Sequence, residues 1–140
     1  RAISSSRVRM RCLSAAAGIK QRIGRVDEAV RLSQEVIRLA RPNPEAKFVL
    51  VHGDNNYTTN LPLSDLDREQ ATFGYKRNGE NISPEHGWPL RLVLPHLYFW
   101  KSAKWVRRLR FLEEDEPGFW ESNGYHLYGD PWQEQRYSGD

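Results

Sequence analysis

The chain has 140 residues, enough for one domain with a hydrophobic core, and 39% of them are hydrophobic. No apolar run approaches the roughly 20 residues of a membrane-spanning helix, which excludes a membrane-embedded protein. The formal net charge is +3, and the one cysteine, Cys12, excludes an internal disulfide framework and a zinc site built from several cysteines.

The positive charge is concentrated at the start of the chain. Residues 1–25 contain seven basic residues and no acidic one, whereas the other 115 residues carry 14 basic and 18 acidic residues, a net charge of −4. We therefore divide the chain into a basic segment, 1–25, of undefined structure, and a domain over 26–140. A Ser- and Arg-rich start without acids is also typical of transit peptides. Because the basic residues are not spread over a folded face, no nucleic-acid partner is expected.

The first half of the domain predicts one helix and two strands. Apolar residues at spacings of three and four predict a helix from Val26 to Ala40, which Pro42 ends. The apolar, β-branched run 46–52 predicts a buried strand, and after a turn at 53–56 the segment 57–61 is again typical of a strand. Residues 62–66 predict a single helical turn.

The second half predicts mostly strands. Asn78-Gly79, between 71–75 and 81–82, is a strong signal for a hairpin turn. Residues 90–94 predict a buried strand and 104–112 a second, amphipathic strand. The tail after Pro117 is rich in aromatic residues and glycines without a regular period, so its rings are expected to dock on the surface. The predicted class is α+β with strands dominating.

Anion-binding groups lie between Pro84 and Arg108. The run Lys101-Ser102-Ala103-Lys104 enters a predicted strand and combines a hydroxyl, backbone N–H groups and two ammonium groups, which suits a phosphate. The alternative is that both lysines are solvated loop charges. Arg91 lies in an apolar run, where an unpaired guanidinium is costly, so an anionic partner is expected, either a ligand or a carboxylate of the chain.

Three further residues have two interpretations each. His86 is either a ligand contact or a surface turn residue, and Tyr125 is either a phenol in a pocket or a structural tyrosine of the aromatic tail. Cys12, between basic Arg11 and apolar Leu13, is either a reactive thiolate or a small buried side chain. The four histidines are far apart in sequence, and none forms the i,i+4 pair of a helical zinc site.

Four motifs resemble the molybdopterin-binding domain of the sulfite oxidase family, in particular its small bacterial sulfite-oxidase-like branch. The resemblance covers residues 42–140, which predicts a β-rich fold of this type that is incomplete or altered at its N-terminal end. The motifs are Tyr57-Thr58-Thr59-Asn60-Leu61-Pro62-Leu63, His86-Gly87-Trp88-Pro89-Leu90-Arg91, Trp100-Lys101-Ser102-Ala103-Lys104-Trp105 and, in the tail, Gly124-Tyr125-His126-Leu127-Tyr128-Gly129-Asp130-Pro131-Trp132.

The resemblance implies a molybdenum–molybdopterin cofactor and assigns residues to it. The implied pterin and phosphate contacts are Asp54, His86, Arg91, Ser102, Ala103 and Lys104. It also implies that Tyr125 is an active-site tyrosine near the metal, where a phenol can stabilise an oxyanion. The thiolate that ligates molybdenum in the family corresponds to Cys12, the one cysteine present.

The implied activity is oxygen-atom transfer at molybdenum on a sulfite-like or sulfoxide substrate, with an unidentified electron-transfer partner. The alternative is a truncated or degenerate relative that acts as a binding module without catalysis. A cytoplasmic, bacterial-type protein is expected.

Overall fold

A computed structural model of the chain describes Arg7–Val8 and residues 28–140, with backbone alone for 7–8 and 28–32. The elements of this part of the chain are mostly short strands, with three α-helices among them. In chain order they are β1 (Arg7–Val8), α1 (Glu28–Ala40), β2 (Phe48–His52), β3 (Thr58–Pro62), α2 (Leu63–Leu66), β4 (Thr72–Gly74), β5 (Lys76–Arg77), β6 (Glu80–Asn81), β7 (Arg91–Val93), β8 (Arg108–Leu112) and α3 (Phe119–Ser122), with 3₁₀ turns at Pro84–His86, Phe99–Lys101 and Pro131–Gln133.

The main sheet has four antiparallel strands in the order β1-β8-β2-β3. Its centre is β2, in which Val49 and Val51 are completely buried and lie opposite Phe111 and Leu109 of β8. Branched side chains suit a pleated, buried surface, and each contributes about 2 kcal/mol by leaving water. The predicted strand at 46–52 is thereby confirmed as the centre of the core.

A smaller sheet pairs β4 with β7 and carries the helix α1. Phe73 of β4 faces Leu92 of β7, and both are buried in the core. The hydroxyl of Ser33 on α1 donates to the carbonyl of Ala71, 2.7 Å away, and fixes the helix to the entrance of β4. The predicted helix is confirmed from Glu28 to Ala40, and its expected first residues lie outside the described residues.

The Asn78-Gly79 turn joins β5 to β6, as predicted. Both residues have positive φ, 52° and 83°, which the tightest hairpin turns require and which Asn and Gly tolerate. The single helical turn predicted after Pro62 is also present, as α2.

The strand predicted over 104–112 begins four residues later, at Arg108. The residues before it bond to a loop instead: the N–H of Trp105 donates to the carbonyl of Gly87, and that of Val106 to Leu90. Trp105 has a φ of 51°, which no strand residue adopts. The aromatic tail also contains two short regular elements that the sequence pattern did not predict, α3 and the 3₁₀ turn Pro131–Gln133.

No helix within the described part of the chain is long and apolar enough to cross a membrane. The basic segment, apart from the backbone of β1, lies outside the described residues.

His52, at the end of β2, makes stability depend on pH. Burial lowers the pKa of His52, and the guanidinium groups of Arg108 and Arg110 lower it further. The folded state disfavours the charged imidazole. The contribution of His52 to the free energy of unfolding is therefore fully present above the unfolded pKa of about 6.5, and it is lost as the pH falls from there through the lower folded pKa. We expect His52→Gln to lose less of its free energy of unfolding than the wild type between pH 6.5 and 5, measured by urea denaturation. Equal losses would contradict this assignment.

Candidate functional site

A cleft of about 200 Å³ lies where the loop after β7 meets the start of the aromatic tail. Its lining combines aromatic rings with two cationic side chains and includes no carboxylate. The lining residues are Tyr57, Arg91, Phe99, Trp100, Ser102, Ala103, Lys104, Trp105 and Trp120. Such a lining suits a flat, negatively charged ligand.

Gly87 lets Arg91 and Lys104, the two cationic residues of the lining, pack against the same backbone. It is buried with a φ of 109°, in the left-handed region that favours glycine. A Cβ at this position would lie 3.1 Å from the Cβ of Lys104 and 3.2 Å from the Cβ of Arg91. The glycine of the His86-Gly87 motif therefore gives Arg91, on β7, and Lys104, on the following loop, room to pack against one backbone.

Arg91 has unused hydrogen-bonding capacity. Its Nη1 donates to the carbonyl of His86 at 3.3 Å, but its Nε is buried and has no hydrogen-bond partner among the described residues. The indole Nε1 of Trp100, another lining residue, is likewise buried without a partner there. A buried donor without an acceptor costs about 1–3 kcal/mol. Both atoms are shielded from solvent, so a ligand in the cleft would reach them only if their side chains turned.

The Ser102-Ala103-Lys104 triplet forms the cationic wall. The hydroxyl of Ser102 accepts the N–H of Leu94 at 3.0 Å, and Ala103 is buried with its carbonyl accepting the N–H of Leu92. Lys104 holds its Nζ 5.7 Å from the ring centroid of Trp105, a cation–π contact. No carboxylate within the described part of the chain forms an ion pair with it, so its charge is available to a ligand.

Lys101 was grouped with Lys104 in the phosphate-binding interpretation, and for Lys101 this was wrong. Its side chain is fully buried and forms an ion pair with Glu121 at 2.7 Å. The 3₁₀ turn Phe99–Lys101 turns this lysine inwards, while Lys104 lines the cleft. The sequence could not distinguish the two lysines because the partner carboxylate is 20 residues further along the chain.

His86 borders a second cleft, of about 400 Å³, on the side of the β5–β6 hairpin. Its Nδ1 lies 2.8 Å from the hydroxyl of Ser83, and Arg91 lines this cleft as well as the first. The structure therefore brings together Arg91, Ser102, Ala103 and Lys104 in one cleft, and His86 in a neighbouring cleft that shares Arg91.

Asp54 lies outside both linings. Its two carboxylate oxygens accept from Arg107 at 2.7 and 2.8 Å, a bidentate pair, and this hydrogen bonding lowers the pKa of Asp54. A direct contact with a ligand in either cleft would require this pair to rearrange.

Tyr125 packs against two tryptophans of the cleft lining. Its ring centroid is 5.0 Å from that of Trp100, edge-on, and 5.1 Å from that of Trp120. Both tryptophans line the cleft and Tyr125 does not. Its N–H donates to the carbonyl of Trp120, which fixes the loop that carries it.

The aromatic half of the lining was not assigned from the sequence, although tryptophans interleaved with basic residues were its signal. The phenol of Tyr57 donates to the carbonyl of Trp100, and burial together with the charge of Glu121 raises its pKa. Tyr57 thus fixes the turn that carries Trp100. Cys12 lies outside the described residues, and among those that the structure describes no three His, Cys, Asp or Glu side chains are placed to hold a metal.

Comparison with known proteins identifies the family. A sequence profile described as the oxidoreductase molybdopterin binding domain matches residues 9–120. The chain belongs to this family. The match begins before residue 42, where the resemblance in the sequence was expected to begin, and it includes Cys12. The family implies a molybdenum cofactor for this molybdopterin-binding domain, and the predicted relationship to the sulfite oxidase family is confirmed.

Relatives with oxidoreductase names cover most of the domain. The chain is 50% identical over 119 residues to the uncharacterized oxidoreductase YuiH of Bacillus subtilis, covering 85% of this chain and 60% of that protein. It is 37% identical over 101 residues to a nitrate reductase [NADPH] of Pichia angusta (67% and 11%) and 30% identical over 74 residues to a sulfite oxidase of Arabidopsis thaliana (51% and 19%). The chain thus spans less than two thirds of each relative.

A solved structure shares the fold. The sulfane dehydrogenase SoxCD from Paracoccus pantotrophus matches with a TM-score of 0.54 and 28% sequence identity. The match covers 59% of this chain and 21% of that chain. The predicted α+β class is confirmed as a mixed fold of small helices and sheets.

Gly87 gives a test of how tightly the cations of this molybdopterin-binding domain are packed. Gly87→Ala is expected to lower the free energy of unfolding by about 1–3 kcal/mol for the left-handed backbone alone, and further because its Cβ presses on Arg91 and Lys104. Gly79→Ala is a matched control, since its φ is also positive and no atom lies within 4 Å of the added Cβ. Urea denaturation of both variants measures the difference, and equal destabilisation would mean that the cleft is loosely packed here.

Proposed function

We propose that the chain is the cofactor-binding part of a molybdopterin-dependent oxidoreductase that transfers an oxygen atom to or from a small oxyanion such as sulfite. The observation that carries this proposal is the acid-free cleft, in which Arg91 and Lys104 lie among aromatic rings. Molybdopterin contains a pterin ring system and a phosphate. A site for it therefore needs aromatic or apolar side chains against the rings and cations beside the phosphate. Family membership adds the identity of the group that the cleft suits.

The residues present fit that group. Lys104 and the hydroxyl of Ser102 would hold phosphate oxygens, because both residues line the cleft and no carboxylate of the described residues forms an ion pair with Lys104. Arg91, which lines the same cleft, would add a second positive charge beside the ligand. Phe99, Trp105 and Trp120 would exclude water from the ring, which strengthens the charged contacts. His86 would contact the part of the cofactor that extends past Arg91 into the second cleft.

When bound, the cofactor supplies two-electron oxygen-atom transfer at molybdenum, and the protein supplies binding, orientation and electrostatics. Tyr125 would move towards the substrate or act through Trp100 and Trp120, against which it packs. Asp54 would join the site only by exchanging its pair with Arg107 for a cofactor contact.

We propose Cys12 as the thiolate ligand of molybdenum. It is the one cysteine of the chain, and it lies inside the segment that the family profile matches. A soft thiolate suits this metal.

Relatives named as nitrate reductases and a sulfite oxidase act, by their names, on inorganic oxyanions. We therefore propose an inorganic oxyanion as the substrate, with a sulfoxide as the second candidate. The likeness to a sulfane dehydrogenase supports a redox partner that accepts or supplies electrons. A cytoplasmic location stays a prediction.

Metal and pterin content test the proposal. We expect the chain, produced in a host that makes the cofactor, to carry about one molybdenum and one pterin per chain. Cys12→Ser should lose molybdenum far more than pterin, because it removes the proposed metal ligand alone. Lys104→Ala should lose both together, by about tenfold or more, because it removes a charge-assisted phosphate contact.

Elemental analysis and pterin fluorescence after oxidation measure the two contents. Lys47→Ala, an exposed lysine outside both linings, is the control and should keep the wild-type values. Metal and pterin both missing from the wild type would contradict the proposal and favour a binding module without catalysis. Full molybdenum in Cys12→Ser would contradict the ligand assignment alone.

A further inference from the structure

A buried ion pair between Lys101 and Glu121 joins two segments of the chain that line the cleft, one around Ser102 and the other at Trp120. Lys101 lies between Trp100 and Ser102 in the chain, and Glu121 directly follows Trp120; these three neighbours line the cleft. The Nζ of Lys101 is 2.7 Å from Oε1 of Glu121, and both side chains are completely buried. The pair therefore lies outside the lining but is covalently adjacent to it on both sides.

The ammonium group also fixes two further segments. It donates to the carbonyl of Asn60 at 2.8 Å and approaches its Oδ1 at 3.2 Å, which anchors it to β3. It donates as well to the carbonyl of Leu127, two residues after Tyr125. An ammonium has three N–H groups, so the contacts to β3, α3 and the Tyr125 loop use its full donor capacity.

Glu121 is held as closely on its own side. Its Oε1 accepts the hydroxyl of Thr59 at 2.8 Å, whereas its Oε2 is buried without a hydrogen-bond partner among the described residues. A Cβ on Gly118 would lie 2.6 Å from that Oε2, so glycine at the start of α3 lets the helix approach β3.

The buried ion pair of Lys101 and Glu121 is not expected to add much to the free energy of unfolding. Burial lowers the pKa of Lys101, and the carboxylate of Glu121 opposes this shift only in part. Replacing buried ion pairs with apolar residues of similar size is often neutral or stabilising, because two charges no longer have to leave water. The benefit of the pair must then be sought in the geometry that it imposes on its neighbours.

We propose that Lys101 and Glu121 are positioning residues, which set the distance between the Ser102–Lys104 segment and Trp120 in the lining of the cofactor cleft. The proposal rests on the proposed function in that the cleft is taken to hold molybdopterin. The pair itself touches no cofactor; it acts through Ser102 on one side and Trp120 on the other.

The test separates position from stability. Lys101→Met and Glu121→Gln are made singly and together, with Val36→Ala, in the core but outside the lining, as a control that only destabilises. For each variant, urea denaturation measures stability and pterin content measures cofactor binding. Near-UV circular dichroism measures the packing of Trp100, Tyr125 and Trp120, whose rings lie about 5 Å apart.

We expect Lys101→Met to unfold at a much lower urea concentration than the wild type, because it leaves Glu121 buried and unpaired. The double variant should regain only the part of that midpoint that the unpaired charge had cost, because the carbonyls of Asn60 and Leu127 stay without their donor, and it should still lose its near-UV signal. Its pterin content should fall by about tenfold, the lower end of the effect seen when groups behind the direct ligands are changed. Val36→Ala should keep both the near-UV signal and the pterin at urea concentrations below its midpoint.

A double variant with wild-type near-UV signal and pterin content would overturn the proposal. Loss of both signals in Val36→Ala would also overturn it, since stability alone would then explain them. A wild type without pterin would defeat the proposed function instead, and the near-UV comparison would still decide whether the pair positions the rings. If Lys101→Met does not fold, Glu121→Gln, which keeps the shape of the side chain, gives the same comparison.

Discussion

Arg91 and Lys104 both pack against the backbone of Gly87, because a Cβ at Gly87 would lie only 3.2 and 3.1 Å from the Cβ atoms of these two residues. The segments that carry them rest on the core, in which β2, β3 and β8 pack buried aliphatic side chains. The cleft therefore depends on one glycine for its shape and on the sheet for its stability.

Lys101 and Lys104 differ in environment although they share a residue type and lie three positions apart. The side chain of Lys101 is fully buried, and the interior surrounds its ammonium group with acceptors. The ammonium group of Lys104 lies 5.7 Å from the ring centroid of Trp105 in the lining of the cleft. The buried Lys101 thus fixes the backbone of this segment, while Lys104 places a positive charge in the cleft. An anion site needs both a fixed backbone and a charge that a ligand can reach.

The sequence predicted elements whose signals are local. The β-branched run of β2, the Asn78-Gly79 turn and the apolar period of α1 each act within a few residues, and each is confirmed. The start of β8 at Arg108 was missed because the bonds from Trp105 and Val106 to the segment around Gly87 involve residues 16 to 18 positions apart. Within the site, spacing indicated Arg91 and the Ser102-to-Lys104 triplet. The cleft itself also needs Tyr57 and Trp120, which only the tertiary fold brings to it.

The cleft presents positive charge to a ligand and keeps the carboxylate that lies next to it in the chain away. Arg91 and Lys104 both line the cleft, and no carboxylate belongs to its lining. Glu121, which directly follows the lining residue Trp120, points into the interior, where it pairs with Lys101 and accepts the hydroxyl of Thr59. The sign of the charges that line the cleft therefore favours an anionic ligand over a cation or a neutral ring.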